Sequence, residues 1–116
     1  MTTPKECVFC NMAQDPTHSA PVYRDGQVFA IKDANPKAPV HMLIIPNMHI
    51  ASLAYVGPGQ VPIMGQMFVV AEEIARREGV TLSGYRLVIN QGDDSGQEIP
   101  HPHMHLLGGK KLGAMG

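Results

Sequence analysis

Three histidines in alternation carry the clearest chemical signal in this chain. They fall in HPHMHLL as His101, His103 and His105. Alternate side chains of an extended segment share a face, so three imidazoles would crowd together, with Met104 and Leu106 opposite. Burying three imidazoles side by side costs free energy unless each finds a partner, and a purely structural role therefore accounts poorly for the pattern. Two chemistries account for it better. The histidines can ligate a metal that activates water, or one imidazole can act as a nucleophile while its neighbours orient it and bind anionic oxygens. The preceding polar loop, residues 91–100, favours the second. Gly92 and Gly96 supply flexible backbone whose N–H groups can face a phosphate, and Asn90 and Gln97 add neutral donors. No cluster of carboxylates is placed to hold magnesium. Imidazole, with an ordinary pKa of about 6.5, is a good nucleophile near neutrality.

The second chemical feature is Cys7-x-x-Cys10. A redox pair of this spacing belongs where a strand meets a helix, and nothing upstream supplies that strand. As half of a closed zinc site it needs two further ligands, for which His49 and His101 are candidates. His18 sits in a polar turn and is expected to be solvated.

These residues must be positioned by short elements. Val22-Tyr23-Arg24 and Val28-Phe29-Ala30-Ile31 flank Asp25-Gly26, a hairpin signal. Residues 41–45 read as a buried strand stopped by Pro46. Residues 60–78 read as the main helix. Met64, Met67, Phe68, Ala71, Ile74 and Ala75 recur at helical spacing as its core stripe, Pro62 suits its first turn and Gly79 the position just past its end. Residues 85–90 and 101–107 read as two further strands, and Pro100 and Pro102 threaten regular geometry around His101. A short turn of helix is expected after Cys10. Three strands, one long helix and two strands, without repeated strand–helix–strand units, favour an α+β fold with a mainly antiparallel sheet and a helix packed on it.

The 116 residues fit one domain, 1–116. With 44% hydrophobic and 16% charged residues the chain can build a core and is not expected to be disordered. A formal net charge of −1 argues against a nucleic-acid footprint, though not against a mononucleotide. No signal peptide is visible, and the apolar run Met42-Leu43-Ile44-Ile45 is too short to span a bilayer. The expected location is the cytoplasm, where the two cysteines stay reduced or bind metal.

HPHMHLL matches the His-x-His-x-His pattern, followed by apolar residues, of the histidine-triad (HIT) family. The surrounding VINQGDDSGQEIPHPHMHLLGG and the upstream AIKDANPKAPVHMLIIPNMHI resemble its branch of small purine-nucleoside phosphoramidases, a likeness extending over residues 7–113. The resemblance implies a five-stranded sheet with one long helix and a short N-terminal helix, a homodimer, and hydrolysis of adenosine 5′-monophosphoramidate-type substrates through a nucleotidyl-histidine. It places the nucleophile on His103 and flanking imidazoles on His41 and His105. Asn90, Gly96 and Gln97 fall on phosphate-side positions, and Asp33 on the carboxylate that holds the ribose hydroxyls. Val8, Phe9, Met12, Ile31, Ala34 and Leu43 fall on the base pocket. Zinc-bearing relatives use a cysteine pair with two histidines, which supports Cys7, Cys10, His49 and His101 as a structural zinc set and leaves no catalytic metal. Glu98 stands where some relatives carry a serine near the leaving group, and Ile31 and Ala34 replace bulkier residues, implying a roomier base pocket. A dinucleoside polyphosphate hydrolase, a nucleotide-binding module with vestigial activity, and a histidine-ligated metallohydrolase are the competing readings. The absence of Lys or Arg from 91–97 and from HPHMHLL, with Lys32 and Arg86 nearest in sequence, favours the less charged phosphoramidate.

Overall fold

The computed structural model describes residues 7–15 and 20–116; His18 lies outside them. Helix α1 (Val8–Gln14) is followed by strands β1 (Tyr23–Arg24), β2 (Val28–Lys32) and β3 (Val40–Pro46). Helix α2 (Val61–Arg77) then leads to β4 (Tyr85–Ile89) and β5 (Met104–Gly108). The five strands form one sheet in the order β1-β2-β3-β5-β4, every pairing antiparallel.

The β1–β2 hairpin closes around Asp25 as the sequence suggests, through its side chain. Asp25 Oδ1 accepts the N–H groups of Gln27 and Val28, and Oδ2 accepts from Tyr23 Oη and from Gln66 Nε2 on α2. One short polar side chain thus makes the turn and ties it to the helix.

Strands β2 and β3 are apolar on both faces because both faces are covered. Val28, Ala30, Met42, Ile44, Met104 and Leu106 pack with Met67, Val70, Ala71, Ile74 and Ala75 of α2. Phe29, Ile31, Leu43 and Ile45 pack on the opposite side with Cys7, Phe9, Cys10 and Ala13. Arg24 ties the hairpin to α1 by donating to the Ala13 carbonyl.

Helix α2 starts with proline in its first turn, and the chain leaves it through Gly79, whose φ of +72° is a left-handed conformation natural to glycine. The expected core stripe needs one correction. Met67, Ala71, Ile74 and Ala75 are buried, but Phe68 is 54% exposed. The helix turns about 100° per residue, and Val70 takes the buried position while Phe68 joins Val61 and Val69 on the outer face.

The last strand starts later than its pattern suggests. β5 begins at Met104, because Pro100 and Pro102 carry no backbone N–H for a ladder. His101 sits in a bend, its N–H donating to the Ile99 carbonyl, and only His105 of the three lies within the strand. Register places His105 opposite Leu43 on β3 and opposite Val88 on β4. His41, two residues before Leu43, therefore shares a sheet face with His105.

Candidate active site

The imidazoles form two groups, and fixed donors and acceptors set their tautomers. A backbone carbonyl can only accept. His103 Nδ1, 2.8 Å from the His101 carbonyl oxygen, must therefore be the protonated nitrogen, which leaves Nε2 with a free lone pair. His101 Nε2 likewise donates to the Pro46 carbonyl at 2.8 Å, freeing Nδ1. A backbone N–H can only donate. The Lys37 amide, 3.0 Å from His41 Nδ1, makes that nitrogen an acceptor and puts the proton of neutral His41 on Nε2. His41 Nε2 donates to His105 Nδ1 at 2.9 Å, so His105 carries its own proton on Nε2.

His103 and His105 stand with ring centroids 5.1 Å apart, and Phe9 meets His103 edge-on at 5.1 Å. His41 and His103 are buried, with 6% and 7% of their surface exposed. Burial holds the His41 pKa below its ordinary value, against the opposing pull of Asp33. Burial first, then the neighbouring His103 and His41, lowers His105 to about 4. Both are neutral at physiological pH.

These side chains floor a cavity of about 700 Å³. Val8, Phe9, Met12, Ile31, Ala34 and Leu43, the expected base pocket, all contribute apolar lining. Asp33, Asn90, Gly96, Gln97 and Glu98 line it together with the three imidazoles. Every residue expected at the nucleotide site thus borders a single cavity. The phosphate loop departs from expectation in detail. The N–H groups of Ser95, Gly96 and Gln97 donate to carbonyls of Gly92 and Asp93, and Gly92 N–H donates to Gln97 Oε1. Gln97 Nε2 donates to the Ile99 carbonyl. The loop is preorganised by its own bonds rather than holding these amides open, and Gly96, with φ +84°, allows its left-handed turn.

Residues not anticipated also line the cavity: Asn35, Lys37, Val88, Ile99 and Leu107. Lys37 adds a cation at the cavity to the two, Lys32 and Arg86, named as nearest in sequence. Lys32 and Lys37 border the cavity and Arg86 does not; Arg86 donates to the Gly113 carbonyl. The available signal was the proline pair Pro36 and Pro39, a turn that returns the chain to His41.

A second cluster lies behind the cavity. One ligand atom each from Cys7, Cys10, His49 and His101 lies within 4.8 Å of the others. Cys7 Sγ and Cys10 Sγ are 3.4 and 3.6 Å from His101 Nδ1, and Cys10 Sγ is 3.2 Å from His49 Nδ1. These separations match ligands around a tetrahedral ion with bonds of about 2.0–2.3 Å. The donor set fits zinc, and the Pro46 carbonyl fixes the His101 tautomer as outer partners of metal-binding histidines do. Burial, with Cys7 beside it, pushes the Cys10 thiol up to about 12. Asp33, His41 and His105 also lie within cation-sharing distance, but the Lys37 amide keeps the proton on His41 Nε2, and the geometry there is that of a hydrogen-bonded relay.

An antiparallel α+β sheet presenting a buried histidine constellation to a nucleotide-sized cavity defines a histidine-triad hydrolase. The HIT domain model matches residues 15–112. The chain is 42% identical over 111 residues, 96% of its length and 93% of the relative's, to the purine nucleoside phosphoramidase of Escherichia coli K12. It is 38% identical to a 14 kDa zinc-binding protein of Zea mays, covering 90% of this chain and 83% of that one. The solved structure of a histidine triad protein from Clostridium difficile superimposes with a TM-score of 0.90 at 38% identity over the full length of both chains. The chain belongs to the HIT domain family.

Proposed function

We propose that this enzyme hydrolyses purine nucleoside 5′-phosphoramidates, with His103 as nucleophile. The observation that carries the reading is the His103 ring: its Nδ1 is committed to the His101 carbonyl, and Nε2 is left free in the cavity. Nε2 attacks the α-phosphorus, the phosphorus–nitrogen bond breaks with its electron pair going to nitrogen, and the amine departs with a proton taken from solvent, which the later attack of water returns. A nucleotidyl-histidine results, and water releases the mononucleotide and restores the imidazole. His105 Nε2–H and the Asn90 amide donate to the phosphoryl oxygens, Asp33 takes the ribose hydroxyls, and the apolar lining takes the base. The Escherichia coli relative's name supports this substrate class.

A turnover panel tests the reading. An adenosine phosphoramidate should exceed diadenosine polyphosphates in kcat/KM by at least about tenfold, or about 1.4 kcal/mol. Faster turnover of the polyphosphates would transfer the assignment to a dinucleoside polyphosphate hydrolase. Lys37, a cation at the cavity, favours that second reading.

The reading extends to the rest of the chain. Residues 1–116 form one HIT domain. Cys7, Cys10, His49 and His101 hold a structural zinc, which when bound supplies a closed centre and takes no part in the reaction. Thiolate ligands suit a reducing compartment, consistent with the cytoplasm; no helix among the described residues is long and apolar enough to cross a membrane. Two copies associate through the outer face of α2, where Val61, Phe68 and Val69 are exposed, and through the edge strand β4.

A further inference from the structure

The proposed reading uses Asp33 only as a partner for sugar hydroxyls, yet both its oxygens already have protein partners. Oδ1 accepts the Asn35 N–H at 2.8 Å. Oδ2 lies 3.3 Å from His41 Nε2 and 4.0 Å from His105 Nδ1. His41 is thereby held at both nitrogens: the Lys37 amide donates to Nδ1, and Nε2–H donates to His105 Nδ1 with Asp33 Oδ2 3.3 Å from the same nitrogen. Moving the His41 proton to Nδ1 would orphan the Lys37 amide and set a bare Nε2 lone pair against a carboxylate and a second lone pair. Each of these costs free energy in a buried site.

We propose that Asp33 is the positioning residue of the His41–His105 pair, locking the relay in which His105 presents Nε2–H to the phosphoryl group. This role rests on the proposed function for its consequence and on protein geometry alone for its existence. A carboxylate that merely gripped sugar would need no approach to either imidazole.

The first test needs no substrate. Long-range proton–nitrogen NMR on the ¹⁵N-labelled protein should show His41 and His105 unprotonated at Nδ1 and protonated at Nε2 near pH 7. Asp33→Asn keeps an acceptor for Asn35 but removes the charge. It should move the ring-nitrogen signals of both histidines toward tautomer averaging while those of His101 stay put. A wild-type His41 protonated at Nδ1, or His41 and His105 signals unmoved in Asp33→Asn, overturns the proposal. Where Asp33→Asn folds poorly, Asp33→Ser, which also keeps an acceptor for the Asn35 N–H, is read in its place.

The second test separates positioning from sugar binding. Adenosine phosphoramidate is compared with its 2′,3′-dideoxy counterpart, which offers Asp33 no hydroxyl. Asp33→Asn should lower kcat on the dideoxy substrate by about tenfold or more with little change in KM. A loss confined to the ribose substrate overturns the positioning role. Wild-type protein that turns over neither substrate defeats the proposed function instead, and the tautomers still decide this inference.

Discussion

Phe9 stands between the two histidine clusters: its ring meets His103 edge-on at 5.1 Å and His101 edge-on at 5.7 Å. It lies on α1, the helix that follows Cys7 and contains Cys10. Metal bound at the cysteines would therefore fasten a wall of the cavity. Protein purified without chelator is expected to hold one zinc per chain. Its removal should lower the melting temperature, because binding free energy at such a site contributes to folding. Metal analysis finding none, with two freely titrating thiols, would contradict this.

Removal of the nucleophile should separate chemistry from binding. His103→Ala is expected to lower turnover by several orders of magnitude while mononucleotide binding persists. A variant retaining more than about a tenth of the rate in a single-turnover assay would rule out His103.

Acid should destabilise the fold through His105. Its folded pKa is about 4, against about 6.5 in an unfolded chain. Between those values the unfolded chain binds the extra proton, so stability falls as pH drops through 6.5 toward 4 and changes little above 7. His41, also lowered, acts in the same direction. Denaturant unfolding at pH 7 and pH 5 should show a smaller difference for His105→Asn than for wild type, by about 1 kcal/mol after solvent screening. Equal differences would remove His105 as the cause.

The outer face of α2 predicts the oligomer. Phe68→Glu puts a charge where the wild-type side chain is 54% exposed, so it should leave the monomer fold intact. Light scattering should report a dimer for wild type and a monomer for the variant. Wild-type protein with only the mass of one chain, 12.5 kDa, at micromolar concentration would refute the association.

Glu98 lines the cavity with an exposed side chain. A carboxylate there repels anionic leaving groups and attracts an amine. Glu98→Ser should shift selectivity among leaving groups by more than it alters mononucleotide affinity, measured by competing amine and polyphosphate substrates. An equal effect on both would make Glu98 a general binding residue.

Much of this arrangement is legible in the residues themselves, because imidazoles and thiols are costly to bury without a purpose. His103 and His105 border one cavity, as their types and spacing suggest, joined by His41, as the family resemblance implies, and Cys7, Cys10, His49 and His101 converge beside it. Contacts made by backbone atoms leave no such trace. The Lys37 amide that donates to His41 Nδ1 could be any residue's amide, and the internal bonds that occupy Gly96 and Gln97 depend on loop conformation. The exposure of Phe68 escapes the sequence for a different reason: an apolar stripe does not say whether it faces this chain's sheet or another molecule. The late start of β5 was half visible, in Pro100 and Pro102.

The strand order has a consequence for a chain emerging from the ribosome. β5, the last strand in sequence, lies between β3 and β4. Until it inserts, β4 has no neighbour within its own sheet, and His41 waits for a partner 64 residues downstream. The hairpins of β1, β2 and β3 can close early, since their contacts are local. The central seam, and with it both histidine clusters, closes only once synthesis has passed β5. A product truncated before Met104 would leave β3 and β4 with open edges and an uncovered apolar face, a species for chaperones and proteases rather than a weakened enzyme.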